Sequence, residues 1–426
     1  MPVPAISLLE PLIPDSPALR EQATALMSSA ASLGRHVHPF TLQAVAELLR
    51  TVNCYYSNLI EGHNTHPVQI ERAMRQEYAA DSHLRDLQLE AEAHIAVQQL
   101  AEKRLLAEPR LNVSGAEFVC WLHREFYIRL PDRLRIVRDP HDGREIMVEP
   151  GVIRTYDVRV GDHIAPPFGE VQGLLERFAA VLDPAGHSPV EALALSGSVH
   201  HRLLWIHPFG DGNGRVVRLL SDAYLRRIGV GSAGLWSVAR GLARRRDEYK
   251  QRLAAADAGR WDDYDGRGAR SNRALVEFSE FFLAVCQDQV EYMGGLLVID
   301  GLAERARGYC KAREAGAITG HDISGRSEKF TPGMTRLLMA LIYRGELPRA
   351  EVPAVAGTPE RTARRFVQRL LDEGFVTAAT HRAPIQLRIP AQAAPFLFPG
   401  LYGAVATDGA VASDNATAKL RRQRDA

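Results

Sequence analysis

The stretch His207-Pro208-Phe209-Gly210-Asp211-Gly212-Asn213-Gly214-Arg215-Val216-Val217-Arg218 brings together an imidazole, a carboxylate, an amide between two glycines and two guanidinium groups. Each has a separate use around a polyphosphate. Gly212 and Gly214 let the backbone approach a ligand closely, and successive N–H groups in such a turn make a concave anion site. Val216 to Leu225 follows with apolar residues at helical spacing and no breaker. The loop is therefore expected to feed a helix N-terminus, where unpaired N–H groups and the macrodipole favour phosphate. Arg215 and Arg218, three apart, share one face of the first turn, and their planar forks suit phosphate oxygens. Asp211 is a carboxylate suited to Mg²⁺, which takes one or two carboxylates plus substrate oxygens. His207 ends an apolar helical run from Glu191 to Ile206, just before Pro208. A neutral imidazole there can take a proton from an attacking hydroxyl, and Phe209 is read as packed inward.

These residues match H-x-F-x-[DE]-G-N-G-R-x-x-R, the signature of the Fic family, and the chain resembles that family on this stretch. The resemblance implies a mainly α fold, a Fic-type helical core with a short β-hairpin flap. It also implies transfer of AMP from ATP onto a Ser, Thr or Tyr hydroxyl of a target protein. By it, His207 is the general base and Asp211 the Mg²⁺ ligand. Gly212, Asn213 and Gly214 hold the α-phosphate, and Arg215 and Arg218 the β/γ end. His200 and Leu203 also fit, although His200 alone reads as a packed helix histidine. Tyr249 lies where family members often carry a Tyr-Tyr pair near the adenine; here Lys250 replaces the second Tyr. Tyr249 reads equally as a packing residue.

Ser57-Asn58-Leu59-Ile60-Glu61-Gly62 resembles the family's inhibitory pattern [S/T]-x-x-x-E-[G/N], here N-terminal to the signature. Glu61 at a helix end would reach Arg218 as a charge-assisted pair and occupy the fork meant for the γ-phosphate. Glu149 to Pro167 reads as a short hairpin through Val152, Ile153, Val158 and Val160, closed by a double proline. Family members carry a flap here that pairs with the target main chain, so Val160, Gly161, Asp162 and His163 are the expected target-binding residues.

The organisation expected is an N-terminal helical region (1–110) carrying the inhibitory helix, a catalytic core (111–290) and a connecting helix and linker (291–330). A small unit follows at 331–392, then a flexible tail at 393–426. Three helices and two strands in the fourth segment resemble a winged helix-turn-helix. Nine arginines against five acidic residues give residues 331–390 a net +4, and Arg361, Arg364 and Arg365 crowd the third helix. DNA is thus an expected partner of residues 358–390, alongside ATP, a target protein, the chain itself and a second copy in a homodimer.

Composition is that of an ordinary globular protein: 426 residues, 46% hydrophobic, 24% charged, net charge +1. So balanced a charge gives no global attraction to nucleic acid or membrane. Cys54, Cys120, Cys286 and Cys310 form no C-x-x-C, which argues for reduced thiols and a cytoplasmic setting. The proline-broken start lacks the basic region of a signal peptide, and no apolar stretch approaches the ~18 residues of a membrane span. Three competing functions remain open. They are removal of AMP by the same site, a DNA-binding regulator with a nucleotide-sensing domain, and a toxin. The last is disfavoured by inhibition carried in the same chain.

Overall fold

Prolines at helix starts and long runs at 3.6-residue spacing make the described residues mainly helical. The computed structural model describes residues 5–14, 16–138, 143–161, 163–320 and 328–402. The N-terminal region holds α1 (Ala5–Leu9), α2 (Pro17–Ser32), α3 (Pro39–Ile60), α4 (Pro67–Met74) and α5 (Ser82–Ala107). The central region holds α6 (Ala116–Tyr127), α7 (Val171–Leu182), α8 (Pro189–Ala194), α9 (Ser196–Ile206), α10 (Asn213–Arg227), α11 (Val238–Arg244) and α12 (Arg246–Ala256). Two long helices, α13 (Asn272–Leu296) and α14 (Ile299–Ala315), lead to α15 (Pro332–Arg344), α16 (Val352–Ala356), α17 (Glu360–Asp372) and α18 (Ala394–Leu397).

Around α9 nearly every side chain is buried, from Ser196 through Ile206, with Ser196, Ser198, His200, His201 and Arg202 among them, which places the helix at the centre of the bundle. Val199, Leu203 and Ile206 share one core with Phe118, Leu122 and Phe126 of α6, Phe178 of α7 and Val216, Val217 and Leu220 of α10. Each such fully buried side chain contributes roughly 1.5–3 kcal/mol by removal from water. This packing fixes the C-terminus of α9 against the N-terminus of α10, and the motif is the link between them.

The strands are short. β1 (Ile136–Arg138) pairs with β2 (Glu145–Met147), and β3 (Arg159–Val160) pairs with β4 (His163–Ile164), both antiparallel. The C-terminal unit carries β5 (Glu346–Leu347), β6 (Val376–Thr377) and β7 (Ile385–Leu387) in the order β5-β7-β6. It packs on α3: Thr41 donates to the Ile342 carbonyl at 3.0 Å, and Tyr56 to that of Leu401 at 3.1 Å. Buried Arg313 of α14 meets buried Glu373 at 2.8 Å, fastening the same unit to the helix before it.

Several expectations are corrected. The run from Glu191 to Ile206 is two helices, because the Ser196 hydroxyl donates to the Leu193 carbonyl at 2.7 Å and competes with the helical ladder. The expected connecting helix begins inside α13, which breaks shortly after Gly294-Gly295. Residues 393–402 of the expected tail are packed, with Phe398 and Leu401 fully buried; the rest of it, 403–426, lies outside the described residues. β1, β2 and β5 escaped the sequence reading. The hairpin is shorter than expected, since Val152, Ile153 and Val158 lie outside β3 and β4. Among the described residues no helix is long and apolar enough to cross a membrane.

Candidate active site

α9 ends on His207, whose φ of 50° and ψ of 63° turn the chain by the left-handed route that helix C-termini commonly take. Its N–H still bonds Leu203 at 3.1 Å, and Pro208 prevents further helix. Gly212, at φ +77°, then caps α10, and a Cβ there would stand 2.6 Å from the Tyr127 ring. The Val216 N–H closes the first turn on the Gly212 carbonyl at 2.9 Å. The N–H groups just before it therefore have no intrahelical acceptor.

Phe209 is fully buried. It stacks on His123 at 3.9 Å between ring centroids, and His123 stacks in turn on Tyr127 at 4.2 Å. The Asn213 side chain closes the loop on itself: Oδ1 accepts from the Phe209 N–H at 3.0 Å and Nδ2 donates to the Phe209 carbonyl at 2.9 Å. The side chain expected to grip phosphate thus holds the loop's shape, beside the unpaired main-chain N–H groups at the start of α10.

The two arginines diverge instead of lining one surface. Arg215 turns toward α5 and α6, 3.1 Å from Asp211, 3.4 Å from Glu90 and over the Phe126 ring. Tyr127 donates to the same Asp211 oxygen at 2.5 Å. Burial raises the Asp211 carboxyl, but Arg215, Tyr127 and the Gly212 N–H more than reverse this, leaving it below the usual range. Arg218 turns toward α3: its Nε donates to Ser57 Oγ at 2.9 Å, and Nη2 to the Ser57 carbonyl at 3.1 Å and to Glu61 Oε1 at 2.5 Å. A Cβ on Gly214 would overlap that same Glu61 oxygen, so the carboxylate lies directly over the first turn of α10. Arg246 donates to the Ile60 carbonyl at 3.1 Å and clamps the end of α3.

His207 is half-buried, and its pKa is pushed down to about 4, first by burial and then by the neighbouring His163. Arg154, buried, donates from Nε to the His207 carbonyl at 2.8 Å and from its own N–H to that of Pro208 at 2.9 Å. Of the expected flap residues, Val160 is half-exposed and Gly161 sits at φ +60° between β3 and β4. Asp162 lies outside the described residues. His163 turns inward, 3.0 Å from the Trp205 carbonyl and 3.2 Å from Asp257.

Tyr249 is the clearest correction. It is buried, its hydroxyl 2.8 Å from His200 Nε2, while His200 Nδ1 meets Ser221 at 2.8 Å. A ring so enclosed packs behind Arg218 and presents no face to an adenine. Sequence reasoning also missed Tyr127, His123, Glu90, Arg154 and Asp257, which sit in ordinary helix and loop contexts. No local pattern marks them.

Asp211 keeps two-fifths of its side chain exposed. Among the described residues no group of three or more His, Cys, Asp or Glu side chains is placed to hold a metal. A lone carboxylate fits Mg²⁺ that brings its other ligands from substrate phosphate and water.

The buried imidazoles make the fold acid-sensitive. His94 and His123 are both pushed down to about 3, first by burial. Folded values below the ordinary ~6.5 mean that the unfolded chain takes up protons the folded chain refuses. This contribution is complete above pH ~6.5 and is lost progressively as pH falls toward 3, at about 1.4 kcal/mol per histidine per pH unit. Thermal midpoints measured from pH 7.5 to 5 should drop by about 5 °C or more. A level midpoint across that window contradicts the burial of neutral rings.

Residues 113–225, which hold α9, the loop and most of α10, match the Fic/DOC family model, so this segment is similar to that family. Two curated relatives share it, both named protein adenylyltransferase Fic. That of Drosophila virilis is 38% identical over 145 residues, 30% of this chain and 30% of the relative. That of Drosophila mojavensis is 36% identical over 108 residues, 25% of this chain and 21% of the relative. The chain thus spans less than a third of the length of these relatives. A Fic family protein of known structure from Desulfovibrio desulfuricans G20 shares the fold, with a TM-score of 0.50 and 19% identity over 88% of this chain and 98% of that one.

Proposed function

We propose that this chain is a protein adenylyltransferase that moves AMP from ATP to a Ser, Thr or Tyr hydroxyl of a target protein, held off by its own Glu61. The observation that carries the reading is the Glu61 carboxylate on Arg218, lying over the first turn of α10 close in sequence and space to His207. A base, an anion-binding helix end and an internal anion occupying that end form one constellation. In the reaction His207 takes the proton of the target hydroxyl, the oxygen bonds the α-phosphorus, and the bond to the β-phosphate oxygen breaks. Pyrophosphate leaves beside the N–H groups of α10 and Arg218, which oppose its charge. Asp211 is the residue to hold Mg²⁺, which when bound neutralises phosphate charge. Tyr127 and Arg215 orient that carboxylate.

The test is incubation of the Glu61→Gly chain with labelled ATP, Mg²⁺ and a cell extract, read by mass spectrometry for AMP-modified proteins, this chain included. No AMP on any protein counts against the reading. Removal of AMP from a modified target uses the same atoms with water as nucleophile, and the half-exposed Glu61 carboxylate is placed to orient that water. Loss of AMP from a modified protein in the presence of the intact chain would favour it.

A separate reading concerns the C-terminal unit, whose helices α15 to α17 and sheet β5-β7-β6 follow the order of a winged helix. Arg361, Arg364 and Arg365 of α17 are exposed, and Arg361 and Arg365 make no ion pair among the described residues. This supports binding of duplex DNA along residues 358–390, measurable as salt-dependent anisotropy of a labelled duplex.

A further inference from the structure

The flap is held to the base by side chains more than by its own pairing. Its ladder is two residue pairs long, Arg159 with Ile164 and Val160 with His163, too little to hold itself in water. Two residues reach from this segment to the end of α9. Arg154 takes the carbonyls of His207 and Pro208. His163 takes the carbonyl of Trp205 with Nε2, at 3.0 Å, while its Nδ1 stands 3.2 Å from Asp257 Oδ2 at the C-terminus of α12. The flap therefore grips the backbone on both sides of Ile206, the segment that carries the base.

Asp257 is itself fixed. Its Oδ1 lies 3.2 Å from His201 Nε2, and its carbonyl accepts from Arg270 at 2.7 Å. Arg202 donates to His201 Nδ1 at 3.2 Å, which leaves the His201 hydrogen on Nε2, pointing at Asp257. The charged and titratable groups around His163 are thus Asp257 on α12, His201 and Arg202 on α9, His207 at 6.4 Å between ring centroids, and Arg154 and Arg270 from the loops. Both ring nitrogens of His163 therefore face acceptors, the Trp205 carbonyl and the Asp257 carboxylate.

We propose that His163 is a positioning residue for AMP transfer: bridging Trp205 and Asp257, it sets the open edge of the flap in register with His207, so that a target strand laid on that edge delivers its hydroxyl to the base. The inference rests on the adenylyltransferase reading and adds a role for a side chain that points away from the target. The same ring stands beside His207, 6.4 Å away between centroids, and is the second cause, after burial, of the lowered His207 pKa.

The experiment uses the full chain carrying Glu61→Gly, with His163→Ala or Asp257→Asn added. Hydrogen exchange of the amides in residues 158–161 and 163–165 should quicken by about tenfold or more, because a local opening has lost its fastening. Self-labelling from labelled ATP should fall roughly 10- to 100-fold through misplacement of the acceptor, with MgATP affinity by calorimetry within about twofold of the parent. The acid limb of the pH–rate profile should also move to higher pH in His163→Ala, since the neighbour that helps lower the His207 pKa is gone. Unchanged exchange in both variants overturns the proposal. So does faster exchange with transfer and the acid limb unmoved, which is what a merely structural histidine would give. Absence of transfer in the Glu61→Gly parent strikes the adenylyltransferase reading instead.

Discussion

Replacing Glu61 with glycine should raise AMP transfer and tighten MgATP binding on the order of 100-fold, the equivalent of losing one strong charge-assisted contact of about 2–3 kcal/mol. The carboxylate does two things at once. It holds an Nη2 hydrogen of Arg218 at 2.5 Å, and it places a negative charge over the N-terminus of α10, where the triphosphate must lie. Burial raises the Glu61 carboxyl, but Arg218 and then Arg215 outweigh this and keep it below its ordinary value. It therefore remains an anion throughout the neutral range. Glycine removes the charge without displacing the arginine, because Ser57 still accepts from both Nε and Nη2. The helix should survive too, since Glu61 is its C-terminal cap, where glycine is well tolerated. Glu61→Gln separates the effects: the amide keeps the bulk and loses the charge, so its transfer should lie between wild type and Glu61→Gly. Calorimetry with MgATP and labelled transfer are the measurements. Wild-type behaviour in Glu61→Gly would remove autoinhibition from the account.

Glu61 is also held from behind. α3 is buried along its length and touches the C-terminal unit through Thr41 and Tyr56, α11 through the Asn53–Ser237 contact and α12 through Arg246. The Glu61 carboxylate therefore stands on a braced helix, and its displacement requires either rotation of its own side chain or loosening of that brace.

The sequence made the catalytic loop legible because there each residue type answers a local demand: glycine for close approach and positive φ, proline to stop α9, a carboxylate four residues from an arginine. Glu61 was legible for the same reason, as a spaced pattern meeting Arg218. What escaped was set by long-range packing. Asn213 looks like a ligand group in one dimension, yet it is consumed by Phe209, four residues away, once the loop closes. Tyr249 looks like a nucleotide contact until α12 is seen to pack it against His200. His163 reads as an outward flap residue, but a two-residue strand cannot dictate its direction, and Asp257, almost a hundred positions on, turns it inward. Such pairings carry no periodicity.

In the Glu61→Gly background, loss of the His207 imidazole should reduce transfer by about 10²–10⁴-fold, the range expected of a positioned general base. MgATP affinity should stay within about twofold, because the groups proposed to bind it, the N–H groups of α10, Arg218 and Asp211, are elsewhere. His207→Asn is the cleaner substitution, since asparagine tolerates the left-handed backbone that His207 adopts whereas alanine is strained there. With its pKa at about 4, His207 is already unprotonated at neutral pH. Transfer by the parent should therefore be level between about pH 6 and 8 and decline only as pH falls toward 4, where the imidazole charges and ceases to accept a proton. Single-turnover labelling across that range, with calorimetry alongside, separates chemistry from binding. Transfer retained in His207→Asn at the parent's rate would mean that the hydroxyl loses its proton to another group, and the assignment of the base would fall.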